Sequence, residues 1–155
     1  MKQARNIKEL FSYRLNRLAF LSSAIAEKIN KGSHGLDKQD WRFVALLAAF
    51  EPMSLKSLAK EANIDKSRAS KSVASLIQRG LVVRRADERD GRGIQLSLSE
   101  AGRALYEVVF PLAISRNEQL LDALAPAEQA MFDQALDKLL FRAKLVFDSV
   151  GTKVS

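Results

Sequence analysis

One change of apolar period constrains this chain more than any other feature. Up to Gly80 the apolar residues recur at helical spacing. Beyond it, Leu81-Val82-Val83-Arg84-Arg85 is a β-rich run, and Ile94, Leu96 and Leu98 alternate with Gln95 and Ser97. Side chains return to one face every three to four residues on a helix and every second residue on a strand, so the two stretches cannot share a conformation. Just before the change, Ser54 heads a short helical stretch ending at Ala62. Asn63 suits a left-handed turn residue, Ile64 plugs the turn, and Asp65 caps a second stretch, Lys66 to Arg79, which Gly80 closes. Two short helices across such a turn make a helix-turn-helix. The period-two segments make a hairpin whose projecting tip is Asp87-Glu88-Arg89-Asp90-Gly91-Arg92-Gly93.

The flanks read as helices. Ile7, Phe11, Leu15, Leu18, Ile25 and Ile29 predict one helix over residues 7–30, stopped by the loop Lys31-Gly32-Ser33-His34-Gly35. Gly-Ser-His-Gly lacks the Gly-x-x-x-x-Gly-Lys pattern of a phosphate cradle and reads as a plain turn, with a structural role for His34. Asp37 caps a helix from Lys38 to Phe50, with Asp40 in its first turn favourable to the helix dipole and Glu51-Pro52 ending it; the helix is apolar on nearly every side and therefore expected to be central and buried. Ser99 caps a helix over about 100–122 in which Pro111 is expected to introduce a kink. Ala125-Pro126-Ala127-Glu128 opens a last helix with Phe132, Leu136, Leu139, Ala143, Val146 and Val150 along one stripe. At 155 residues a single domain over 1–155 is expected, mainly α with a small β-hairpin.

Composition removes several classes of function. The chain has no cysteine and one histidine, which excludes disulfide scaffolds, cysteine zinc sites and thiol sensing, and leaves multi-histidine metal sites without parts. No cofactor and no metal are expected. No nucleophile–base arrangement is apparent, so catalysis is not expected either. The longest apolar run, Phe43 to Phe50, is far shorter than the ~20 residues a membrane helix needs. The opening MKQARNIKEL has no apolar core of a secretory signal, so a cytoplasmic protein is expected.

The net charge is +7, unevenly spread: residues 1–31 carry +5, 32–55 carry −1, 56–92 carry +5 and 93–155 carry −2. A basic middle suits a polyanion. On the wheel of Lys66–Arg79, Ala69, Val73, Leu76 and Ile77 form the buried face. Ser67, Lys71, Ala74, Ser75 and Gln78 lie opposite, with Arg68 on the border. That outer side is small, polar and cationic, without a carboxylate, and fits a major groove. Ser67, Arg68, Ser70 and Lys71, near the helix N-terminus, are the candidates to reach base edges or phosphates. Arg89 and Arg92 at the hairpin tip are candidates for the minor groove, with Asp90 orienting Arg92. Singly, these features fit a surface helix and a solvated charge run; together they point to double-stranded DNA.

The run from Leu55 to Gly102 resembles the winged-helix core of the MarR family of bacterial transcription regulators. The matching residues are Leu58-Ala59, Asp65-Lys66-Ser67 with Ala69-Ser70, Leu76, Arg79-Gly80-Leu81-Val82, Asp87-x-x-Asp90-x-Arg92 and Leu98-Ser99-x-x-Gly102. The resemblance implies a winged helix-turn-helix over 36–99 and dimerisation helices over 5–31 and 100–150. It also implies a near-palindromic operator and, usually, release by a small effector. Glu88 and Gly91 stand where the family often has proline and a basic residue, and Ala125 where it often has a serine or threonine cap. The absence of cysteine excludes its thiol-oxidation branch. The wide apolar stripes of the first and last helices independently predict a homodimer. In the family, small aromatic acids often sit between the dimer helices and the winged domain. Arg14 and Arg17 are candidates to face such a carboxylate, with Tyr13 and Trp41 as aromatic walls. The expected function is a sequence-specific regulator, a dimeric repressor released by a small aromatic or acidic effector. The alternative is a ligand-independent nucleoid-type or architectural DNA-binding protein.

Overall fold

A computed structural model describes residues 4–86 and 93–151, with the backbone alone at 29–33 and 151. The elements run in the order α1 (Phe11–Ser33), α2 (Lys38–Phe50), β1 (Met53–Ser54), α3 (Leu55–Glu61), α4 (Lys66–Gln78), β2 (Val82–Ala86), β3 (Ile94–Leu98), α5 (Glu100–Leu121) and α6 (Pro126–Gly151). The chain divides into two compact units, with the boundary between Ala113 and Ile114.

The first unit holds the core. Phe43, Val44 and Leu47 of α2 meet Leu58 of α3 and Ala69, Val73 and Leu76 of α4 in one buried cluster. Val82, Leu96 and Leu98 line the sheet side of that cluster, and Val109 closes it from α5. The sheet is antiparallel in the order β1-β3-β2, with Val82 opposite Leu98 and Arg84 opposite Leu96. Its inward residues are the alternating Leu96 and Leu98, as period two requires.

Local signals set the helix ends. The Asp37 carboxylate accepts from the Gln39 and Asp40 amides, the Ser54 hydroxyl from Ser57, and the Asp65 carboxylate from Arg68. Asn63 has φ 55°, and the Ile64 amide donates back to the Ala59 carbonyl at 3.1 Å, so the turn between α3 and α4 is closed by its own backbone. Gly80 has φ +71°. Gly102 is needed for a different reason: a Cβ there would lie 2.0 Å from the Leu81 carbonyl oxygen. The Ser99 hydroxyl accepts from the Gly102 amide and donates to the Gly80 carbonyl, fastening the start of α5 to the end of α4.

Three expectations are adjusted. The predicted helix over 7–30 is broken: Ile7–Glu9 is a separate 3-10 turn capped by Asn6, and Leu10 is extended before α1 begins. α1 then runs past Lys31 to Ser33. The helix Lys38–Phe50 is buried on one side only, since Phe50 is 62% exposed. β1 escaped the sequence because two residues carry no period. As expected, α5 is one helix from Glu100 to Leu121 with Pro111 inside it.

In the second unit, α6 opens as expected with Pro126 in its first turn. The Glu128 carboxylate accepts from the Ala125 amide at 2.8 Å, half of a capping box without its serine.

Candidate nucleic-acid interface

α4 presents two unlike sides. Ala69, Val73 and Leu76 are buried, Ile77 is half-buried, and Ser67, Arg68, Ser70, Lys71, Ala74, Ser75 and Gln78 are exposed. The wheel read from the sequence is therefore the arrangement observed. No carboxylate lies on the exposed side of the helix. Asp65, next to it, is turned onto the helix's own amides. The Arg68 backbone N–H bond holds its carboxyl below the usual carboxylate value. The Arg68 guanidinium lies 3.4 Å from Asp65, and both side chains stay well exposed, so this pair is loose.

Tertiary contacts lock α4 to α2. The Gln39 side-chain amide donates to the Ser72 hydroxyl at 2.7 Å. At the C-terminal end of α4, the Arg79 guanidinium donates to the Asp40 carboxylate at 2.7 Å and to the Gly35 carbonyl at 3.1 Å. Burial pushes the Asp40 carboxyl up, nearby Asp37 adds to this, and Arg79 opposes both. On the sequence, Asp40 reads only as a first-turn acid favourable to the helix dipole. Its pairing with Arg79, 39 residues away, leaves no local signal. Arg42 likewise donates to the Ala62 carbonyl at 3.0 Å, closing the end of α3.

The wing strands extend the basic surface. Arg84 and Arg85 of β2 are exposed, and their register opposite Leu96 and Gln95 sends them to opposite faces of the hairpin. On the sequence both read as residues of the β-rich run, although their charge is plain there. Arg89, Asp90 and Arg92 lie outside the described residues.

The candidate effector residues lie on α1 and α2. Tyr13, Arg14 and Arg17 lie on the exposed side of α1, with the Arg17 guanidinium 5.3 Å from the centre of the Phe20 ring. Trp41 is half-buried and stacks on Tyr106 at 6.0 Å, which stacks on Phe110 at 4.9 Å. A cleft of about 350 Å³ opens beside α2, lined by Glu27, Asp37, Lys38, Gln39, Arg42 and Ile64; none of the four candidates lines it. Among the described residues no group of three or more metal-binding side chains occurs, and no helix is long and apolar enough to cross a membrane.

Comparison with known proteins places this architecture. The sequence model of the MarR family matches residues 34–93. The chain is 27% identical over 138 residues to YxaD of Bacillus subtilis, an uncharacterised HTH-type transcriptional regulator, covering 88% of this chain and 95% of that one. A MarR/EmrR family transcriptional regulator from Acinetobacter sp. ADP1 superposes with a TM-score of 0.81 at 25% identity, covering 90% of this chain and 99% of that one. BpsR of Bordetella bronchiseptica, whose DNA binding is described as regulated by 6-hydroxynicotinic acid, has the same fold at 24% identity. Its TM-score is 0.76, with 88% and 97% of the two chains covered.

Proposed function

The chain belongs to the MarR family of DNA-binding transcriptional regulators, and from that premise we propose that it is a dimeric repressor released by a small aromatic or acidic effector. The observation that carries the DNA part is the open side of α4: small, polar and cationic, without a carboxylate. Such a surface enters a major groove without steric or electrostatic penalty. Ser67, Arg68, Ser70 and Lys71 meet base edges and phosphates near the helix N-terminus, whose dipole favours phosphate. Arg89 and Arg92 reach into the adjacent minor groove, with Asp90 orienting Arg92.

The dimer follows from the flanking helices. Residues 36–99 act as the DNA-binding core, and 5–31 with 100–150 as the dimerisation helices. The exposed Phe11, Leu15, Leu18 and Leu21 of α1 and Phe132, Leu139 and Val146 of α6 are covered by a second copy. Two copies of α4 then face a near-palindromic operator about 34–36 Å apart. Tyr13, Arg14, Arg17 and Trp41 receive the effector. The regulation of BpsR by an aromatic acid supports that chemical class.

Binding to the DNA upstream of its own gene, followed by fluorescence anisotropy at several salt concentrations with random-sequence competitor, tests this. The expected result is tight binding at two subunits per duplex that survives competitor. Arg92→Ala is expected to weaken it and to reduce the salt slope by about 1 per subunit. Binding that salt and competitor abolish, on that DNA and on duplexes selected from a random library, would overturn it in favour of non-specific coating.

A further inference from the structure

Glu51 ends α2, and on the sequence Glu51-Pro52 reads only as a stop. In the structure this residue joins three elements. Its backbone N–H donates to the Leu47 carbonyl at 2.9 Å, completing α2. One carboxylate oxygen accepts the Leu98 amide of β3 at 2.6 Å. The other pairs with the guanidinium of Arg103 in the first turn of α5. The carboxylate is largely buried, with the Glu51 side chain 17% exposed.

The reason a side chain does this lies in β1. That strand pairs with β3 only at Met53–Leu96 and Ser54–Gln95. It cannot continue backwards along β3, because Pro52 has no N–H and Glu51 already belongs to the end of α2. The Leu98 amide faces the edge where β1 has run out, since the neighbouring Ser99 amide faces the other way, to Leu81. The Glu51 carboxylate takes the place of the missing strand residue. A charged acceptor also makes a stronger bond than a carbonyl.

We infer that Glu51 is a positioning residue for DNA binding: by holding the base of β3 to α2 and, through Arg103, to α5, it fixes the direction in which the β2–β3 wing projects. This rests on the proposed role of the wing in DNA contact. Glu51 itself touches no DNA in this scheme. Its removal is expected to release the wing while leaving α4, which is held by Gln39 and Asp40, in place.

A double-mutant cycle tests it, on a duplex selected by the wild-type full chain from a random library, with affinity read by anisotropy and folding by thermal melting. Glu51→Ala is expected to weaken binding about 5-fold and Arg92→Ala about 10-fold, and the double variant about 10-fold rather than the 50-fold of independent sites. Glu51→Ala combined with Lys71→Ala is expected to multiply, because α4 is positioned separately. Glu51→Gln, which keeps an oxygen for the Leu98 amide, is expected to recover most of the affinity. If Glu51→Ala does not fold at the assay temperature, Arg103→Ala takes its place in both cycles, with the same sign of coupling expected. Effects that multiply with Arg92→Ala, or coupling equally strong to Lys71→Ala, would overturn the inference while leaving the DNA-binding reading intact. An Arg92→Ala variant that binds as wild type would remove the wing from the interface, and the inference with it.

Discussion

Residues 36–99 and the helix α6 use their apolar side chains in opposite ways. In the first region Phe43, Leu47, Leu58 and Leu76 are fully buried against one another. In the second, Phe141 is 67% and Phe147 77% exposed. Both stretches show helical apolar periodicity. The difference is that the short helices of the first meet each other and a sheet at sharp turns, which closes a core around them. Along α6 the stripe residues Phe132, Leu139, Val146 and Val150 are exposed. The apolar residues of the first region are thus closed off within the chain, with Val109 of α5 completing their core, whereas α6 leaves its large apolar side chains exposed.

The largest expected effect breaks this contrast directly. Phe43→Ala is expected to cost about 3–5 kcal/mol in chemical denaturation, by cavity formation in a closed core. Phe147→Ala is expected to change the stability of the isolated subunit by less than ~0.5 kcal/mol, yet to raise the dimer dissociation constant in sedimentation equilibrium. A Phe147→Ala variant with unchanged self-association would show that α6 does not meet a second copy through that side chain. Next in size is Gly102→Ala. Its Cβ would meet the Leu81 carbonyl at 2.0 Å, so the backbone must shift, at about 2–3 kcal/mol by thermal or urea unfolding.

The smallest expected loss of core stability concerns the link between α2 and α4. Arg79→Ala leaves the buried Asp40 carboxylate without its guanidinium. A fully buried pair would cost about 3–5 kcal/mol to break. Arg79 is one-third exposed, which brings the expected loss at neutral pH to about 2 kcal/mol. The loss is smaller in acid. The Asp40 carboxyl sits above its ordinary value of 3.8, so its protonated form is favoured by folding. Its contribution to stability is full below that value and declines as pH rises through the raised one. Arg79 relieves this decline by stabilising the ionised form, so urea titrations of wild type and Arg79→Ala should converge as pH falls. A constant gap from neutral pH to below 3.8 would show that Arg79 acts through packing and the Gly35 carbonyl and not through the Asp40 charge.

Much of the fold is legible in sequence because its signals are local. Asp37, Ser54, Asp65 and Ser99 each accept an amide two or three residues ahead, and Asn63 and Gly80 need only their own backbone angles. The exposed side of α4 follows from a period counted within one helix. Phe50 was misread because periodicity shows that a residue is apolar and not whether a neighbour reaches it. The break at Leu10 was missed because Asn6 and Glu9 close a competing turn ahead of a continuous apolar stripe.

The sequence by itself determined the helix-turn-helix, the hairpin after it and the cationic side of α4, since caps, turns and periods act over a few residues. Tertiary structure alone decided what holds these parts in place. Asp40 and Arg79 are 39 residues apart, Glu51 and Leu98 are 47, and Glu51 and Arg103 are 52. A carboxylate at a helix end looks the same in sequence whether it faces water or a buried partner. Only the folding of distant segments together brings the guanidinium or the orphan amide to it, and burial then gives that contact its energy.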